Sequence, residues 1–326
     1  MGVFSRWLGR ARRSSDPTDQ FDPADLDVAV ARAVDAVEPR LRQIGGYPQR
    51  YRAAVACALA HARALAAQVP GPVVIDREHF VADRTVHALF GSIDAVRASL
   101  CASRAMREFV HEHPLAGEVY ALLAMRRQER HALGFDLQGE VLRRDVPQTL
   151  VYFSDHTLAA PGSSEADCRD CLAWHLFDAL VGQVRARIEA RRVEKLRLEN
   201  ERDLVMARLR GAPAAEQPRQ RQALEGLHAA LAGLTAQLEL GGLHTDFTAI
   251  LAQPERHLHL EATRMMLDDM GVRRAAEDAV DGTEVCFADL RGSDAPGWTV
   301  ILAHCRGLAR PSLAEQMHEA DRWLTL

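Results

Sequence analysis

The chain reads as an α+β protein, and three patterns carry that reading. Apolar residues recur at steps of three and four within residues 22–116, apolar and β-branched runs broken by glycine and proline follow over 117–160, and five leucines make two heptads at 224–238. The expected architecture is a helical N-terminal part, two small antiparallel β meanders or hairpins, and a projecting antiparallel helical hairpin of coiled-coil type.

Residues 1–21 are a basic amphipathic segment followed by a polar linker. Placed on a helix, Val3, Phe4, Trp7, Leu8 and Ala11 share one stripe, and Arg6, Arg10 and Arg13 lie opposite. An aromatic anchor beside a cationic face is the pattern of a helix lying in the plane of an anionic lipid surface. The same stretch also reads as a solvated tail, because about a dozen residues make only a marginal helix in water. No secretory apolar region follows it; "SSDPTDQFDPADLD" is polar and acidic.

The helical region spans 22–116. Asp22-Pro23 is an N-cap with proline in the first helical position, and Leu26, Val30, Val34, Val37, Leu41 and Ile44 continue the helical period to Gly45-Gly46. A second helix is expected from about Tyr51 to Val69, closed by Pro70-Gly71-Pro72. Ser92 caps a third, running toward "HEHP". Over 117–160 the runs "EVYALLAMR", "HALGFDLQGEVLRRD" and "TLVYFSDH" read as a three-run antiparallel meander. Gly134 and Gly139 mark its bends, and Pro147 keeps the third run out of a central position.

Residues 164–240 read as the helical hairpin. The stretch 181–210 carries nine basic and five acidic residues, several at i,i+4 spacing, each such pair contributing about 0.2–0.5 kcal/mol. Gly211 to Pro218 interrupts it. Beyond the break Leu224, Leu227, Leu231, Leu234 and Leu238 step three, four, three, four, a coiled-coil seam. These leucines are the candidate interaction residues. The remaining α+β region, 241–326, holds a short helix, three strands of which the last two form a β hairpin across "SDAPG", and a final amphipathic helix, "LAEQMHEADRWL".

Composition narrows the function classes. Forty basic against forty-five acidic residues give a net charge of −5, so no nucleic-acid partner is expected for the surface as a whole. Only Lys195 among the basic residues is lysine, a bias a GC-rich bacterial genome supplies by codon usage. Six cysteines in 326 residues make no disulfide scaffold, which points to a cytoplasmic protein. Walker A, G-x-G-x-x-G, G-x-S-x-G, H-E-x-x-H and EF-hand patterns are all missing from the sequence.

One stretch has the donor pattern of a metal site. On a strand, alternate residues of "HLHLE" would project His257, His259 and Glu261 from one face as a 2-His-1-carboxylate set, while Leu258, Leu260 and Ala262 face the core. The spacing equally describes the solvent face of an amphipathic strand. "CRDCLAWH" puts Cys168, Cys171 and His175 on one helical face, and "FSDHT" and "HEH" offer an Asp-His pair and a histidine cluster. No cofactor is favoured, and a divalent metal is the alternative.

The leading expectation is a non-enzymatic bacterial interaction or scaffold protein. It would work through the coiled-coil hairpin, with a protein partner or by self-association, and be peripheral at the inner membrane face through its basic start. The alternative is a metal-dependent hydrolase or oxygenase using His257, His259 and Glu261.

Overall fold

The computed structural model describes residues 17–138, 141–274, 282–293 and 297–306. They form an α+β fold in two compact units. One comprises the described residues up to Ala62 together with Leu176–His257; the other comprises Arg63–His175 and the described residues from Leu258 onward. Phe4, Arg6, Trp7, Leu8, Arg10 and Arg13, the bend at Gly139 and the expected final helix lie outside the described residues.

The first unit is helical. α1 (Pro23–Val37) begins as its sequence dictates, with the Asp22 carboxylate accepting from the Ala24 amide at 2.8 Å. It buries Leu26, Ala29, Val30, Ala33, Val34 and Val37. It stops at Val37 instead of running to Ile44, because Pro39 disfavours helical backbone at the preceding residue and Glu38 is extended. Leu41 is nonetheless buried, from a 3-10 turn at Pro39–Gln43. α2 (Gln49–Gln68) supplies buried Tyr51, Val55 and Leu59.

The rest of this unit comes from three later helices. α7 (Glu165–Gly211) is 47 residues long, about 70 Å at 1.5 Å per residue. After residues 212–216 come α8 (Gln217–Leu238) and α9 (Leu240–Ala252). Leu243, Phe247, Ile250 and Leu251 of α9 are buried, and the Phe247 ring meets Tyr51 edge-on at 5.0 Å.

In the second unit, a single seven-stranded sheet takes up both β regions. Its order is β3-β2-β7-β6-β4-β5, with β1 attached to β7. The members are β1 (Val73–Ile75), β2 (Glu118–Gln138), β3 (Val141–Gly162), β4 (Leu258–Leu267), β5 (Arg273–Arg274), β6 (Thr283–Gly292) and β7 (Trp298–Arg306). All pairings are antiparallel except β1 with β7. The three-run meander expected over 117–160 is a two-stranded hairpin. Pro147 sits within β3 opposite Leu133, where β3 ends the strand order and no ladder donor is lost. The bend expected at Gly134 is a register shift between Gly134 and Asp136.

β7 joins what the sequence separates by more than a hundred residues. Ala288–Leu290 of β6 pair with Trp298–Val300, as the expected hairpin requires, but the whole of β7 also lies along Glu118–Met125 of β2. The two ends of the strand order then meet. The Val151 amide donates to the Gly271 carbonyl at 2.8 Å, and Leu150 bridges Val272. Gly271 makes this closure possible: its φ is +75°, and a Cβ there would stand 2.8 Å from the Val151 oxygen.

The curled sheet encloses Leu123, Met125, Phe153, Phe287 and Ile301. Phe153 and Phe287 meet edge-on at 5.7 Å. Short helices α3 (Arg77–Ala82), α4 (Arg84–Leu89), α5 (Ile93–Ala102) and α6 (Arg104–Glu112) follow β1. Val86, Phe90, Val96, Met106 and Phe109 from α4–α6 complete the core. The single helix expected after Ser92 is two, broken at Ser103. Its hydroxyl donates to the Leu158 carbonyl at 2.5 Å and accepts from the Met106 amide at 3.3 Å, which ties the break to β3. Among the described residues, no helix is long and apolar enough to cross a membrane.

Candidate functional site

Two side-chain seams run along α7 within the helical unit, and they have opposite fates. The inner seam steps Val184, Ile188, Arg191, Lys195, Leu198, Arg202, Val205, Leu209, alternating four and three, and every member is buried or half-buried. Its partner is fixed at both ends. The five residues 212–216 turn the chain back. Farther down, Arg187 and Arg191 both pair with Asp246 of α9, and Gln183 Nε2 donates to the His257 carbonyl at 2.8 Å. α8 and α9 therefore descend α7 antiparallel. Between residues 189 and 238, Leu198, Val205 and Leu231 are the buried ones.

The leucines expected along the hairpin seam are covered to different degrees. Leu231 is 9% exposed, and Leu224, Leu227, Leu234 and Leu238 are half-buried. Leucines in a hairpin fill the nearest complementary helix first, because the short turn makes that pairing intramolecular. Three of the facing positions are cations, each held by an acid: Arg191 by Asp246, Lys195 by Glu199 at 3.9 Å, and Arg202 by Asp203 at 2.8 Å.

Among the described residues, the outer seam has no such partner. On the opposite side of α7, Val193, Leu196 and Leu204 are 65%, 61% and 59% exposed, with Asn200 and Ala207 exposed between and beyond them. Scattered exposed apolar residues are ordinary, whereas three large ones aligned on one helical face make a patch. The flanking charges are neutralised locally: Arg197 bonds Glu194 at 2.7 Å and lies 3.3 Å from Glu201. The surface is accordingly a short apolar stripe, interrupted by Asn200 and flanked by paired charges. Sequence reading passed over it because the charged residues of 181–210 dominate the stretch, yet its spacing is readable once the inner seam is assigned.

The base of α7 is fixed by partly buried ion pairs. Glu38 accepts from Arg40 at 3.0 Å and from Arg192. Those guanidinium bonds outweigh desolvation and bring the Glu38 carboxyl down to about 2. Asp178 accepts from Arg32 Nε at 2.8 Å, which aligns α1 with the same stretch of α7.

The expected metal set does not assemble. Among the described residues no three His, Cys, Asp or Glu side chains converge as ligands. His257 closes the Pro254–Arg256 turn with near-helical backbone, so it stands outside β4 and the strand alternation does not reach it. His259 and Glu261 are exposed, and Glu261 lies 3.3 Å from Arg291 across the ladder. Ala262, expected in the core, is exposed too.

The other clusters are structural. Burial pushes the Cys168 thiol up to about 12, which keeps it protonated at neutral pH, and the Cys171 sulfur lies 3.6 Å from Nδ1 of exposed His175. His156 donates its Nε2 proton to the Leu89 carbonyl at 2.7 Å and stacks on Phe90. His113 stacks on Phe109 at 4.4 Å. Cys286 pairs in register with Arg264, and Cys305 with Val119 and Ile75, so these two thiols are not register partners.

Sequence reading missed the buried His304. It stacks on Tyr120 at 4.2 Å and reaches Glu118 at 2.9 Å. Asp289, also buried, accepts from the Thr299 hydroxyl at 2.8 Å and faces Arg127 at 3.0 Å. Both acids serve sheet neighbours, so these groups are satisfied by the fold.

No protein-family model matches the chain, and neither a curated protein nor a solved structure does.

Proposed function

We propose that this chain is a non-enzymatic interaction protein whose helical hairpin presents the outer face of α7 to a protein partner. The observation that carries the reading is the aligned exposure of Val193, Leu196 and Leu204 on a helix whose other face is buried or half-buried. Helix faces of this kind dock as i, i+3, i+4 anchors against another helix or groove. The basic start adds a second attachment in this proposal, with Trp7 and Phe4 entering an anionic lipid surface and Arg6, Arg10 and Arg13 meeting headgroups. The inner membrane face is the surface it would reach.

The test is chemical crosslinking in intact cells followed by recovery of the full chain. A defined partner, or a second copy, should be recovered with the wild type and lost when Leu196 and Leu204 are both changed to glutamate. Equal recovery with that double variant removes the outer face from the account. For the tail, deleting residues 1–15 should abolish cosedimentation with anionic vesicles at low salt, and unchanged cosedimentation contradicts the attachment.

A further inference from the structure

His244 of α9 is held in one tautomer by its neighbour. Arg50, in the first turn of α2, directs its guanidinium Nε at the imidazole Nε2 from 3.2 Å. A guanidinium has donors and no acceptor, so Nε2 accepts and the proton of the neutral ring sits on Nδ1. Nδ1 is buried and meets no hydrogen-bond partner. The ring packs edge-on to Tyr51 at 5.4 Å, and Tyr51 packs edge-on to Phe247, one turn along α9, at 5.0 Å. A second proton can bind the ring only at Nε2, the atom that Arg50 occupies. Protonation and the bond from Arg50 therefore exclude each other.

We propose that Arg50 and His244 form an acid-sensitive latch, in which the neutral imidazole fastens α9 to the start of α2 and mild acid releases it. Once protonated, the pair sets an imidazolium against a guanidinium. Among the described residues, Arg50 is the charge that acts on His244, and no carboxylate bonds to either of them. The other ionisable groups around the site are engaged elsewhere: Arg40 with Glu38, Arg42 with Asp35, and Arg52 with Asp27. Asp246, on the same helix, faces Arg187 and Arg191 of α7. Tyr51 donates its hydroxyl to the Leu41 carbonyl at 3.2 Å, and Tyr47 stands edge-on to it at 6.3 Å. The last two turns of α8, residues 231–238, bring no charge, and Glu239 is exposed.

Burial and the Arg50 charge both hold His244 below the ordinary histidine value of 6.5. The native ring thus takes up its proton at lower pH than the unfolded chain does. The neutral latch contributes fully above about 6.5, and its contribution is lost as pH falls through the lower native value. Glu38 stays charged through the start of that fall, because its carboxyl protonates only as pH approaches about 2. The two acid responses are separate in pH.

The latch acts at the base of the hairpin. α9 follows α8 after the single residue Glu239, and its Asp246 holds Arg187 and Arg191 of α7. Buried Leu243, Phe247, Ile250 and Leu251 still anchor α9 after release. The expected change is therefore a local opening of α9, with the rest of the unit folded.

The test is nuclear magnetic resonance of the full chain labelled at its histidine rings, with the His244 signal assigned by its loss in His244→Gln. Its titration midpoint should lie below 6.5 and move up toward that value in Arg50→Gln, a change at an exposed side chain. Amide exchange, corrected for the intrinsic effect of pH, is then compared at about pH 7.5 and about pH 5, on either side of the ordinary histidine range. Protection over 243–252 should fall severalfold at the lower pH in the wild type and stay level in His244→Gln, with β2 and β7 unchanged in both. A midpoint at or above 6.5 overturns the proposal. So does a midpoint that Arg50→Gln leaves in place, because Arg50 would then not compete for Nε2. An equal loss of protection in His244→Gln assigns the acid response to other groups and also overturns it. Should His244→Gln fail to fold, the wild-type and Arg50→Gln midpoints decide alone.

Discussion

The curled sheet and the paired helices of α7 and α8 deal with apolar side chains in opposite ways. In the sheet, alternation sends one face of β2, β3, β6 and β7 into a closed interior, and the bond from Val151 to Gly271 joins the ends. In the helix pair, one neighbour covers one seam, and α7 has two. Its inner seam is buried or half-buried, while Val193, Leu196 and Leu204 are exposed. A sheet can satisfy its whole apolar face by closing, but a two-helix arm cannot cover both sides of either helix. Surplus apolar surface therefore accumulates on the arm, and the proposed association is placed there for that reason.

Substitutions separate the two regions by size of effect. The largest is expected in the sheet. Phe287→Ala empties a fully buried site that touches Phe153 and lies 5.2 Å from the Arg127 guanidinium, and should cost about 3–5 kcal/mol in chemical denaturation. A loss below about 1 kcal/mol would mean that the sheet interior is loosely packed.

Leu231→Asp comes next. It places a charge in the most buried layer of α8 and should cost about 3 kcal/mol, read as faster amide exchange over 198–238 with β2 and β7 unchanged. Slow exchange retained over 198–238 would show that α8 is not held by this seam.

Glu38→Gln should be smaller, about 1–3 kcal/mol at pH 7, discounted because Arg40 is largely solvated. The sign follows from a folded-state value of about 2 against an ordinary 4.5. Protonation is harder in the native state, so the wild-type contribution is complete above about 4.5 and is lost as pH falls toward 2. Across that window the gap between wild type and variant should close. A constant gap would assign the loss to packing instead.

The same contrast explains what was legible from sequence. Helix starts with a local chemical cause were readable, as at Asp22-Pro23 and Ser92. Breaks caused by distant contacts were not: α5 and α6 part at Ser103 because its hydroxyl reaches Leu158, more than fifty residues away. Strand character was readable in both β regions, but their union in one sheet depends on β7 pairing with β2, a long-range choice that period-two patterning does not encode. The leucine heptads were visible in the sequence, and a seam pattern states that a helix is covered without stating by what. The His-x-His-x-Glu spacing failed for a local reason: Pro254 starts a turn that holds His257 out of the strand.

The smallest effect on stability tests the central claim, that α7 folds with one face and associates with the other. Leu204→Glu and Leu231→Asp should be compared by urea denaturation of dilute protein. Leu204 is 59% exposed and should change the unfolding free energy by no more than about 0.5 kcal/mol, while Leu231→Asp lowers it clearly. In cells Leu204→Glu should weaken recovery of the crosslinked partner while leaving the fold intact. A loss of stability in Leu204→Glu as large as that in Leu231→Asp would show that the outer stripe is packed within the chain, and would contradict the account.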